Sequence, residues 1–127
     1  MGNYSKALEF YDKSLKIFEK SLPPNHPDLA SPYNNIGGVY NSMGNYSKAL
    51  EFYDKAHKIY EKSLPPNHPL LATSYNNIGG VYYGKGDYPK ALSYLEKALV
   101  IWQKSLPPTH PNIKTAMNNI DSVKKKM

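Results

Sequence analysis

The 127-residue chain contains no cysteine, no arginine and no apolar run long enough to cross a membrane. Without cysteine there are no disulfides, no thiol nucleophile and no thiolate metal site, which fits a reducing compartment and makes a cytoplasmic location the expectation. Without arginine the net charge of +6 rests entirely on sixteen lysines. Lysine is a point charge and lacks the planar fork that reads phosphate and guanine, so nucleic acid is not the expected partner. No signal-peptide pattern opens the chain, and no membrane partner is expected. The marks of catalysis are also missing: there is no nucleophile elbow, no phosphate-cradling glycine loop and no acid pair set apart from neighbouring lysines. The chain reads as a non-enzyme with no cofactor.

What the chain does have is repetition. Shifted by 42 residues it aligns with itself almost throughout: residues 1–42 and 43–84 differ at eight positions, and 85–127 is a looser third copy. Such a period marks an array in which each unit buries its apolar face by stacking on its neighbours. A single array over residues 1–127 is expected, with units 1–42, 43–84 and 85–127.

Each unit holds two helical patterns. Tyr33, Ile36, Gly37 and Tyr40 fall at i, i+3, i+4, i+7 on one face of a first helix, A. Gly44 follows, suited to the left-handed conformation after a helix end. A second helix, B, buries Tyr46, Ala49, Leu50, Tyr53, Ala56, Ile59 and Tyr60. Its outer face pairs Glu51 with Lys55 and Asp54 with Lys58 at i, i+4, the acid first. "SLPPNHP" at 63–69 then separates B from the next A. Pro65 and Pro66 stop one helix, Pro69 suits the first turn of the next, and Asn67 or His68 stands at the N-cap. The order is therefore B, loop, A, three times over, opening in mid-unit. Pro32, inside the first A helix, predicts a late start or a bend there.

Tyr33-x-x-Ile36-Gly37-x-x-Tyr40 followed by Gly44-x-Tyr46-x-x-Ala49-x-x-x-Tyr53-x-x-Ala56 resembles a tetratricopeptide repeat. Tyr75, Ile78, Gly79, Tyr82, Gly86, Tyr88, Ala91, Leu95 and Ala98 restate it. By period alone a HEAT or armadillo array also fits, but those lack these marks. Units of 42 residues with His-Pro leading into an Asn-Asn helix are similar to the repeats of kinesin light chains. The resemblance implies an all-α, right-handed solenoid of antiparallel helix pairs. The last helix, about 111–125, departs from the pattern with Asp121 for Gly37 and Lys124 for Tyr40, as a degenerate cap would.

Candidate sites are few. His26, His68 and His110 recur once per unit, too far apart on stacked helices to share a metal ion, and no metal site is expected. His57, replacing Leu15 and Leu99, has no sequence-adjacent partner. "PNHP" matches P-x-x-P formally but reads as a helix stop and start. Lys124–Lys126 suit the negative end of a final helix. The "NNI" triplets at 34–36, 76–78 and 118–120 stand apart, beside the buried stripe of every A helix. The resemblance places helix A on the inner face of the solenoid and implies that Asn35, Asn77 and Asn119 hold a peptide main chain. A primary amide carries donors and an acceptor together and can pair with a backbone N–H or C=O. The candidate groove residues are Asn34, Asn35, Asn41, Asn76, Asn77, Tyr83, Asn118 and Asn119. Equally, such amides can bond between helices and cap turns. Gly38 and Gly80, in mid-helix, invite a close approach by a ligand or by a neighbouring helix.

The sequence thus leads to a protein-binding scaffold that takes an extended protein segment or peptide. The alternative is a structural spacer or self-associating array. There the unpaired face of the first B helix, Ala7, Phe10, Tyr11 and Phe18, would be covered by another chain's last helix, giving a swapped or head-to-tail homo-oligomer.

Overall fold

The repeated prolines, histidines and glycines decide where the helices begin and end. A computed structural model of the protein describes residues 3–24 and 26–127, so Asn25 of the first SLPPNHP lies outside the described residues. Two units are present. Met1–Ser63 holds α1 (Tyr4–Ser21), a 3-10 turn (Pro27–Leu29), α2 (Ala30–Met43) and α3 (Tyr46–Ser63). Leu64–Met127 holds α4 (Pro69–Lys85), α5 (Tyr88–Ser105) and α6 (Pro111–Lys126). The fold is all-α and of the helical-pair solenoid kind.

Each A helix, or the turn leading into it, is capped by a histidine. The Nδ1 atoms of His26, His68 and His110 accept from the backbone N–H of Asp28, Leu70 and Asn112 at 3.1, 3.1 and 3.0 Å. Of the two cap candidates in SLPPNHP, it is the histidine that acts, because its β-region backbone aims the ring at the N–H two residues on. α4 and α6 begin at the proline that follows, whereas α2 begins only at Ala30. That late start puts Pro32 in the first turn, where a backbone N–H has no intrahelical acceptor to lose. Gly44 and Gly86 end α2 and α4 at φ of 82° and 83°. Asn45 and Asp87 then donate back to the carbonyls of Tyr40 and Tyr82, both at 2.9 Å. Asn45 and Asp87 next cap α3 and α5.

Within each unit, helix A lies hard against the B helix that follows it. A Cβ built on Gly37 would stand 2.8 Å from Tyr53 Cδ1, and one on Gly79 would stand 3.0 Å from Leu95 Cγ. Glycine is needed here because the side chain facing it from helix B leaves no room for a methyl group. Aromatic rings flank each crossing. Tyr40 stacks on Phe52 at 5.8 Å and 16°, and Tyr82 on Tyr94 at 5.6 Å and 5°. Lysine ammonium groups cover these rings: Lys55 lies 5.2 Å from Phe52, and Lys97 5.2 Å from Tyr94. The core of the first unit is built on Leu15, Leu29, Ala30, Ile36, Ala56 and Ile59. That of the second includes Ala91, Leu95, Ile120 and Val123.

Replacing Gly37 with alanine tests this contact. The helix gains about 1 kcal/mol of propensity, but the methyl group meets the Tyr53 ring and overpacking costs about 1–3 kcal/mol. The net expectation is a lower urea midpoint. A midpoint equal to or above that of the parent would show that the approach is not tight.

Candidate functional site

In the second unit, α4 and α6 both pack on α5 and leave a cavity of about 300 Å³ between them. Asn76, Gly80 and Tyr83 line it from α4, at the i, i+4, i+7 spacing of one helical face. Asn119, Ser122 and Val123 line it from α6, and Leu95 of α5 forms the floor. Of the residues singled out in the sequence, the cavity thus gathers Asn76, Tyr83 and Asn119. Asn77 is half-buried and Asn118 exposed, and neither lines it.

The first unit carries a related hollow of about 490 Å³ between α1 and α2. Asn3, Tyr4, Ala7 and Tyr11 line it from α1, with Asn34, Asn35, Gly38, Val39 and Ser42 from α2. Tyr11, Asn35, Gly38 and Val39 stand two repeats before Leu95, Asn119, Ser122 and Val123. The two hollows therefore share one floor and wall by register. Asn41 is half-buried near the end of α2 and lines neither. Among the described residues, no lysine, aspartate or glutamate lines either hollow, and the residues that do line them offer hydrogen bonds and apolar contact.

The paired asparagines divide the work. The first of each pair turns toward helix B. Asn34 donates through Nδ2 to the Tyr60 hydroxyl at 3.3 Å, as the structural reading of these amides expects. Burial pushes the Tyr60 phenol above the ordinary tyrosine range, and the bond from Asn34 pulls it the other way. The Oδ1 atoms of Asn34 and Asn76 are both buried without a partner, as is the indole Nε1 of Trp102. An orphaned buried polar atom costs about 1–3 kcal/mol, so three of them call for a physical reason. Trp102 was not singled out in the sequence, and Tyr60 only as a buried residue of helix B. The signal was their position: they occupy the same place in successive B helices.

The glycines also divide. A Cβ on Gly38 would meet the Tyr53 hydroxyl at 3.4 Å, whereas one on Gly80 would meet nothing within 4 Å. Gly80 is thus not needed by the chain's own packing, and its bare face borders the cavity. His57 is buried, and its Nε2 lies 3.4 Å from a Glu61 carboxylate oxygen one turn on. That partner lies four residues along the same helix.

Gly80→Ala is expected to raise stability by about 0.5–1 kcal/mol, the usual gain for glycine to alanine in a helix with room for the methyl. Chemical denaturation beside Gly37→Ala checks it, the two changes moving the midpoint in opposite directions.

The sequence profile described as tetratricopeptide repeat matches residues 1–62, 28–104 and 70–120. Among solved structures, the chain is similar to the nearly identical TPR-like repeats of a kinesin-light-chain-like protein of Podosopora anserina. The TM-score is 0.87 at 22% identity, covering 98% of this chain and 59% of that one. It is similar too to BtubC (BKLC) from P. vanneervenii, with a TM-score of 0.89 at 25% identity, covering 98% of this chain and 50% of that one. The N-terminal domain of stress-induced protein-1 from C. elegans matches with a TM-score of 0.60 at 15% identity, over 99% of this chain and 98% of that one. The chain spans between 50% and 59% of the length of the first two. A search of curated proteins returns no match.

Proposed function

The chain belongs to the tetratricopeptide repeat family, whose repeats mediate protein–protein interaction, and on that premise we propose that it is a non-enzymatic scaffold that takes an extended peptide. The peptide lies between the inner helices, held by asparagine amides and flanked by Tyr83. One observation carries this reading: Asn76 and Tyr83 of α4 and Asn119 of α6 border one cavity beside the bare face of Gly80. Uncharged amides suit a main chain, whose groups are equally neutral and recur whatever the side chains are. Asn35 holds the matching place in the first unit. Asn41, Asn77 and Asn118 belong to the proposed groove only by register.

Selection from a peptide display library on the whole chain supplies the probe. Asn119→Ala is expected to weaken the enriched peptides at least tenfold, about 1.4 kcal/mol, with the melting temperature unchanged. No enrichment, or equal affinity for the variant, would remove the groove reading.

A second reading, self-association, rests on α1. Phe10 and Ile17 are 66% and 65% exposed, while Ile59, the counterpart of Ile17, is 3% exposed beneath α2. A helix docking there as α2 docks on α3 must present a residue as small as Gly37 to Tyr11. α6 presents Asp121 in that register, which opposes a swap through α6. Self-association of this kind would appear in sedimentation as a concentration-dependent species abolished by Ile17→Lys. A single monomeric species at high concentration would dismiss it.

A further inference from the structure

The 42-residue register sets Leu95 of α5 where Tyr53 stands on α3, and Gly80 of α4 where Gly38 stands on α2. In the first unit the tyrosine serves both glycines of the helix above it. Its ring stands 2.8 Å from the Cβ position of Gly37, and its hydroxyl 3.4 Å from that of Gly38. Leucine is shorter. In the second unit Leu95 comes within 3.0 Å of the Cβ position of Gly79, but nothing comes within 4 Å of that of Gly80. The change from tyrosine to leucine therefore removes the group that would stand beside Gly80. A mid-helix glycine weakens its helix, and here no atom of the chain fills the place of its missing side chain.

The open space belongs to the cavity of about 300 Å³ between α4 and α6. Gly80, Tyr83 and Ser122 are exposed at its rim, and Leu95 and Val123 are buried at its floor. We propose that Leu95 is the specificity-determining residue of this cavity, leaving beside Gly80 a socket for one apolar side chain of the bound peptide, leucine or phenylalanine in size. This rests on the groove reading and deepens it. Roughly 150 Å³ of apolar cavity accommodates a benzene ring, so the socket has room for such a side chain. Tyr83, Leu95 and Val123 supply the apolar contact. Among the described residues no charged side chain lines the cavity, so a carboxylate or ammonium entering it would lose water and gain no counter-charge. In the first unit the Tyr53 hydroxyl holds the equivalent place.

Nuclear magnetic resonance on the full chain tests this with three probes that share one main chain: the N-acetyl methylamides of phenylalanine, glycine and aspartate. The phenylalanine probe should shift the Val123 methyl and Gly80 amide signals saturably. The glycine and aspartate probes should bind roughly tenfold or more weakly, having no apolar side chain to bury. Leu95→Tyr copies the arrangement of Tyr53 and Gly38, and should weaken the phenylalanine probe by a similar factor. Gly80→Leu fills the same space from an exposed helix position and should do likewise, which keeps the test standing if Leu95→Tyr fails to fold. Circular dichroism and the melting temperature check both variants. A phenylalanine probe that leaves Val123 unmoved overturns the proposal. So does a glycine or aspartate probe that binds as well, or a folded variant that binds the phenylalanine probe as the parent does. Library peptides that enrich on the parent and bind Leu95→Tyr and Gly80→Leu equally well would keep the groove reading and remove this one. Phenylalanine shifts abolished by both variants, without any enriched peptide, would do the reverse.

Discussion

The contact on which the rest of each unit depends is that of a bare glycine with the side chain facing it from the next helix. Gly37 lets the α2 backbone lie on Tyr53, and Gly79 lets α4 lie on Leu95. At that separation, neighbouring positions of the A helix acquire fixed roles. Tyrosines at −4 and +3 from the glycine straddle the crossing and meet Phe52 or Tyr94. The asparagine at −3 comes within reach of the B helix, as Asn34 does with Tyr60. The residue at +1, turned by about 100° around the helix, borders the hollow, beside the Tyr53 hydroxyl at Gly38 and with open space at Gly80. Asp121 ends the pattern in α6, because a charged side chain cannot occupy the place of a hydrogen atom against a ring.

The features legible in the sequence are the local ones. The period, the proline stops, the left-handed Gly44 and Gly86 and the late start before Pro32 all follow from a residue's own backbone preference or from its near neighbours. The choice of His68 over Asn67 as cap was not legible, because either side chain can accept a hydrogen bond and only backbone direction decides between them. The site was partly legible. Asn76 and Asn119 follow from helix periodicity, but Ser122, Val123 and Leu95 do not, since a cavity wall depends on how helices sit in space. The bond from Asn34 to Tyr60 joins residues on different helices, and nothing in a helical pattern marks it.

Near-identical repeats also separate interactions that matter from those that can lapse. Residues 1–63 hold eight lysines and seven carboxylates; residues 64–127 hold eight lysines and three. In the first unit Lys13, Lys16, Lys55 and Lys58 pair with acids one turn away, all on exposed surface. In the second, Ser93 replaces Glu51 and Val100 replaces Lys58. Exposed pairs of this kind contribute roughly 0–1 kcal/mol, so their loss is easily tolerated. Lys97 keeps its place over Tyr75 and Tyr94 after the acid is gone, as Lys55 does over Tyr33 and Phe52. The ring contact is the part of that arrangement the repeats have in common.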